Sequence, residues 1–160
     1  MEENGQVVQP AAALDAPRGV FVVTVDDKGR LKLPASILQY LESVGERRVF
    51  ITTFDKAEAR IYPLPVWRQA EKILQDPAED LEEVALVAMN YGADVEVDAQ
   101  GRATLPAPLR KLLQLEGDEV RLRCFQGRIN ILGSAEYARR LEAAEAVLPD
   151  KLPIVKRKGL

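Results

Sequence analysis

Apolar positions along the chain change period several times, and the changes come twice in the same order. Val23 and Val25 alternate with polar neighbours, as a half-buried strand requires. Asp26-x-x-Gly29 follows, then a short extended run over 31–33, then Ile37, Leu38 and Leu41 on one helical stripe. Seventy-two residues further on, Val95 and Val97, Asp98-x-x-Gly101, the run 103–105, and Leu109, Leu112 and Leu113 repeat the grammar. Ten of the 26 positions in 20–45 are identical to those in 92–117: Val23/Val95, Val25/Val97, Asp26/Asp98, Gly29/Gly101, Arg30/Arg102, Leu33/Leu105, Pro34/Pro106, Ala35/Ala107, Leu41/Leu113 and Gly45/Gly117. Average composition gives about one or two such matches by chance. The pattern is a duplication.

Within each copy the local chemistry predicts the joints. A three-residue loop whose last residue is a left-handed glycine closes a hairpin, which places 27–29 and 99–101 in turns. Pro34 and Pro106 suit a helix start, where a missing N–H costs nothing, and Gly45 and Gly117 suit its stop. A second hairpin then closes each copy, 48–53 with 60–63 and 119–125 with 128–132, the latter through Gln126-Gly127. Between the copies, Val66, Trp67, Ala70, Ile73 and Leu74 mark one helix face. Asp76-Pro77-Ala78-Glu79 reads as the start of a second helix, with Leu81, Val84, Ala85 and Ala88 as its stripe. A last helix is expected over 135–147. The organisation predicted is a mobile arm (1–17), a first repeat (18–64), linking helices (65–90), a second repeat (91–132), a C-terminal helix (133–149) and a basic tail (150–160).

Composition narrows the chemistry. The 160 residues hold no His and one Cys. That removes the usual general base, the ordinary Ser-His-Asp triad, His-containing zinc sites and any intrachain disulfide. Neither an enzyme, a cofactor, a metal site nor a small-molecule substrate is expected. No apolar run approaches the roughly 20 residues that span a bilayer, and the N-terminus is acidic rather than signal-like, so a cytoplasmic protein is expected. With 22 Lys+Arg against 25 Asp+Glu the formal charge is -3, and bulk charge announces no polyanion partner. Cys124, in Arg-Leu-Arg-Cys-Phe, reads as a buried inert thiol, and Trp67 with Tyr62 as core or subunit contact.

The repeated D-x-[KQ]-G-R carries the candidate chemistry: Asp26, Lys28 and Arg30 in the first copy, Asp98 and Arg102 in the second. Flanking a tight turn, each Asp and Arg become cross-strand neighbours. One reading is a surface ion pair that buttresses the turn and contributes little. The other is a carboxylate orienting a guanidinium on a stiff hairpin, whose planar fork suits phosphate oxygens or a guanine edge in the DNA major groove. Lys28, Lys32, Arg110 and Lys111 add positive charge nearby, and Asp27 opposes it.

F-V-V-T-V-D-D-K-G-R-L-K-L-P, I-Y-P-L-P-V-W (61–67) and G-A-D-V-E-V-D-A-Q-G-R-A-T-L-P-A-P-L-R (92–110) resemble the MraZ family over about residues 18–140. The resemblance implies an α+β fold of two pseudosymmetric AbrB-like repeats of the swapped-hairpin type. It also implies a ring-like homo-oligomer, and a nucleoid-associated regulator that binds tandem G-rich repeats in double-stranded DNA ahead of the division and cell-wall gene cluster. By position it carries a DNA-binding role to Asp26, Lys28, Arg30, Asp98, Arg102 and Arg110. Two departures stand out. Leu38 occupies the place of an Arg that the second copy keeps as Arg110, and Arg128-Ile129-Asn130-Ile131-Leu132 replaces an aromatic run. The first bears on how evenly the two copies meet DNA, the second on packing. An AbrB-like module that binds a protein partner, as related antitoxins do, is the competing reading.

Overall fold

Gly29 and Gly101 both sit at φ +79°, the left-handed conformation that the last residue of a three-residue loop adopts. Around these two turns the computed structural model describes residues 15–117 and 119–160. The arm expected over 1–17 lies, up to residue 14, outside the described residues. In chain order the elements are β1 (Gly19–Thr24), β2 (Arg30–Lys32), α1 (Ala35–Ser43), β3 (Arg48–Thr52), β4 (Ala59–Pro63), α2 (Leu64–Leu74), α3 (Glu82–Tyr91), β5 (Ala93–Glu96), β6 (Arg102–Thr104), α4 (Ala107–Leu113), β7 (Glu119–Phe125), β8 (Arg128–Gly133) and α5 (Ser134–Arg157). The fold is mixed α+β.

Each motif's first strand finds its partner elsewhere. Only the bridge Val25↔Leu31 joins the two sides of the first turn beyond its own hydrogen bonds. β1 then pairs with β7, setting Val23 opposite Val120, while β5 pairs with β3, setting Val95 opposite Val49. An antiparallel sheet in the order β1-β7-β8-β4-β3-β5 results. Under the 72-residue offset β1, β7 and β8 answer to β5, β3 and β4, so the order reads alike from either edge. A two-stranded hairpin is marginal in water. The exchange lets both strands enter one six-stranded sheet and bury Val49, Val120 and Leu122 completely.

The short strands β2 and β6 pair with each other, with registers Arg30↔Thr104, Leu31↔Ala103 and Lys32↔Arg102. Leu31 and Ala103 face inward and are fully buried, against a core that includes Ile37, Leu41, Leu105, Leu109 and Ile131. Pro34 and Pro106 stand in extended conformation at the caps of α1 and α4, one residue ahead of the helix, where no donor is required of them. Phe50, Leu64, Trp67 and Ala88 form a smaller cluster under α2 and α3, with Trp67 stacked on Phe50 at 4.3 Å between ring centres. Cys124 is buried, which pushes its thiol up to about 11.

Two sequence expectations are corrected. Asp76-Pro77-Ala78-Glu79 makes an isolated turn instead of starting a helix. The Asp76 carboxylate accepts the Ala78 N–H at 2.9 Å and its carbonyl the Glu79 N–H at 3.1 Å, and α3 begins only at Glu82. Such side-chain bonds compete with helix propagation. At the other end, the helix expected to stop by residue 149 runs through Pro149 and Pro153 to Arg157 and absorbs most of the basic tail.

Candidate nucleic-acid interface

The two Asp-x-x-Gly-Arg turns are built bond for bond alike. In the first, Gly29 N–H donates to the Asp26 carbonyl at 2.9 Å and Asp26 N–H to the Arg30 carbonyl at 3.0 Å. Asp26 Oδ1 accepts the Lys28 and Arg30 N–H groups at 3.0 and 2.8 Å, and Oδ2 accepts Arg30 Nε at 2.7 Å. In the second, Asp98 Oδ1 accepts the Gln100 and Arg102 N–H groups at 2.9 Å each, and Oδ2 accepts Arg102 Nε at 2.9 Å. Each carboxylate thus fixes two backbone N–H groups and the Nε edge of one guanidinium. The Arg N–H above all holds both Asp carboxyls below their ordinary value, against a smaller opposing push from burial. With Nε on the carboxylate, the terminal nitrogens of Arg30 and Arg102 are the donors left over. They carry no hydrogen bond among the described residues.

The turns are also tied to each other. Leu33 N–H donates to the Gly101 carbonyl and Leu105 N–H to the Gly29 carbonyl, both at 2.9 Å, and Lys32 Nζ reaches the Gln100 carbonyl. Side chains alternate along a strand, so burying Leu31 and Ala103 puts Arg30, Lys32, Arg102 and Thr104 on the outer face of the β2–β6 ribbon. Directly opposed side chains in such a ribbon stand about 5 Å apart at Cβ, and diagonal ones about 7–8 Å. Arg30 and Arg102 form a diagonal pair, and Lys32 stands directly across from Arg102. The side chains of Arg30 and Arg102 are 28% and 29% exposed, so both are partly held and partly open to solvent. Lys28 and Gln100 are exposed at the tips of the turns.

Beneath the turns the two halves part company. A Cβ on Gly29 would lie 2.4 Å from Cζ of Arg110, whereas a Cβ on Gly101 would lie 2.7 Å from Cδ1 of Leu38. Arg110, a candidate DNA contact in the sequence, therefore lies behind the first turn. Its Nε donates to the Leu105 carbonyl at 3.1 Å and its Nη1 stands 3.8 Å from Glu116. The second turn is gripped at its base by Arg47, which donates to the carbonyls of Val97 at 3.2 Å and Asp98 at 2.8 Å and pairs with Glu42 at 2.9 Å. The position equivalent to Arg47 in the other half is Glu119.

No family model matches the chain. It is 32% identical over 138 residues to the transcriptional regulator MraZ of Koribacter versatilis, covering 84% of this chain and 93% of that one. The MraZ of Desulfitobacterium hafniense is 34% identical over 140 residues, 84% of this chain and 94% of that one. The chain belongs to the MraZ family. The MraZ of Acidobacterium capsulatum reaches 42% identity over 106 residues, 64% of this chain and 73% of its own.

In this MraZ-family chain the structure gathers Asp26, Arg30, Asp98 and Arg102 on one ribbon, leaves Lys28 at its rim and sets Arg110 behind it. The outer-face positions of Lys32 and Thr104 and the clamp by Arg47 were not singled out from the sequence. The alternation Arg30-Leu31-Lys32 held a signal for Lys32. Nothing local marked Arg47, whose partners lie 50 and 51 residues away.

Proposed function

We propose that this chain is a DNA-binding transcription regulator that lays the outer face of the β2–β6 ribbon in the major groove of duplex DNA. The observation that carries the reading is the ribbon face itself. It holds three cations, Arg30, Lys32 and Arg102, on two strands, with both arginines oriented through Nε and their terminal nitrogens unspent. A two-stranded ribbon fits the groove, and the fork of an arginine reads the O6 and N7 of guanine. Asp26 and Asp98 orient the two arginines, Lys28 adds a phosphate contact at one tip, and Arg110 supports the first turn from behind. The two AbrB-like halves, 18–64 and 91–132 with the linking helices between them, supply one turn each.

A net charge of -3 gives little bulk attraction for DNA. Copies assembled head to tail into a ring present the same basic ribbon several times, which suits tandem G-rich repeats ahead of the division and cell-wall gene cluster. The test is a mobility shift on duplex DNA from the region upstream of its own gene. Arg30→Ala combined with Arg102→Ala is expected to abolish the shift while mass by light scattering stays unchanged. An undiminished shift in the double variant, at unchanged mass, overturns the reading.

A further inference from the structure

Helix α5 leaves the body of the protein after its first two turns. Its root is held by Arg140, which reaches Glu58 on the turn before β4 and pairs with Glu136 of its own helix at 2.7 Å. From Leu141 to the end of the chain every residue is exposed. Two features make this extension unfit to stand alone. Pro149 and Pro153 lie inside the helix, and each deprives it of one backbone hydrogen bond. In proteins most helical stability comes from packing an apolar face, and this segment packs on nothing among the described residues. Yet the exposed segment carries an apolar stripe. Leu141, Ala144, Leu148, Leu152 and Val155 recur at three- and four-residue steps and fall on one face. Leu141, Leu148, Leu152 and Val155 are each at least 38% exposed.

The charges beside the stripe say what covers it. At 3.6 residues per turn Glu142, Glu145 and Lys156 fall on the same flank, the acids toward the N-terminal half and the base toward the C-terminal end. When two identical helices meet antiparallel, each flank faces the same flank of its partner in reversed order. Glu142 and Glu145 of one copy then face Lys156 of the other, twice over, about a dyad near residue 149. A parallel pair would instead set Lys151 against Lys156. Acidic residues beside the stripe also speak against an anionic lipid surface as the occupant.

We propose that α5 docks antiparallel against α5 of a second copy of this chain, forming a two-fold interface separate from the β2–β6 ribbon. The contact is self-complementary, unlike a head-to-tail one, and so joins copies or whole assemblies in pairs. It does not depend on the DNA-binding reading, and its test uses no DNA.

The full chain has one other thiol, Cys124, which is buried and only weakly acidic. Leu148→Cys therefore places the reactive sulfur beside the dyad, where mild oxidation is expected to yield a covalent dimer on a non-reducing gel. Ala146→Cys, on the opposite side of the helix, is expected to yield none. Glu145→Lys is expected to lower the mass in sedimentation to half or less, and Glu145→Lys with Lys156→Glu to restore it. Restoration by exchanged charges is not a property of a helix that is merely damaged. Absence of a Leu148→Cys dimer, equal cross-linking from Ala146→Cys, or failure of the exchanged pair to restore the mass overturns the proposal and assigns the stripe to another occupant.

Discussion

The turns at Asp26 and Asp98 share every hydrogen bond that defines them and the backbone bonds that tie them together, and they differ in the side chains at their backs, tips and bases. Behind Gly29 lies a guanidinium, Arg110; behind Gly101 lies an isobutyl group, Leu38. At its tip the first turn carries Asp27 and Lys28, the second Ala99 and Gln100. At its base the second is clamped by Arg47, where the first has Glu119 at the equivalent place. Carboxylate, glycine and arginine thus set the form of the turn by themselves, while its support and its surface charge vary independently. The presentation of the arginine is the shared property, and the electrostatic setting is where the halves have diverged.

The sharpest challenge to that equivalence is to remove one arginine at a time. Because Arg30 and Arg102 are exposed to the same extent on one ribbon face, Arg30→Ala and Arg102→Ala are expected to weaken specific DNA binding alike. A lost base contact costs about 1–3 kcal/mol, or roughly five- to 150-fold in affinity. Fluorescence anisotropy on one duplex compares them directly, and a loss confined to one variant shows that only one turn reads the DNA.

Stability probes the support behind each turn. An Ala at either glycine is forced into the left-handed region at about 1–2 kcal/mol. In Gly29→Ala the new methyl also displaces Arg110 from its bond to the Leu105 carbonyl, whereas in Gly101→Ala it meets only a leucine end that can rotate. Gly29→Ala is therefore expected to lower the melting temperature more. If Arg110 is the cause, the difference between the two variants disappears when both are made in an Arg110→Ala background.

A smaller effect separates the tips. Lys28→Gln makes the first turn resemble the second, and Gln100→Lys does the reverse. For a phosphate contact the slope of log affinity against log salt changes by about 0.9 per cation. Lys28→Gln is expected to flatten the slope by that amount and Gln100→Lys to steepen it, with little change in preference among sequences. Salt titration of binding measures both.

The turns were legible because their chemistry is local: Gly29 and Gly101 must be left-handed, and Asp two residues before a free N–H makes its own bonds. What β1 pairs with was not legible. Alternating Val23 and Val25 announce a strand with one buried face, but any apolar strand face satisfies them, and the choice of β7 over β2 is made by the whole core. The same limit hid the β2–β6 ribbon, and with it the place of Lys32. The packing of Arg110 was hidden for a different reason. An arginine near a basic motif suggests a polyanion, and only packing shows its guanidinium turned under a neighbouring glycine. Nothing local announces that α5 continues through Pro149 and Pro153, residues that take backbone donors out of a helix, and Asp76-Pro77 has the same letters in an isolated turn as in a helix start.

The smallest effect expected is that of pH on binding. The chain has no His, arginine stays charged throughout, and the two turn carboxylates titrate below their ordinary value of about 3.9. The DNA affinity is accordingly expected to be flat between about pH 5.5 and 9. The turns themselves respond only to acid. A carboxylate whose folded pKa is depressed adds stability that is complete above its unfolded value, and loses it as pH falls through the lower folded one. Asp26→Asn and Asp98→Asn are each expected to melt below the parent by a constant margin at neutral pH, and the margin closes only beneath about pH 4. The margin for Asp98→Asn should be the smaller, because Arg47 still holds that turn by its carbonyls. Thermal unfolding across pH 2–8 reads both margins, and equal margins would show that the Arg47 clamp adds nothing that the carboxylate does not already supply.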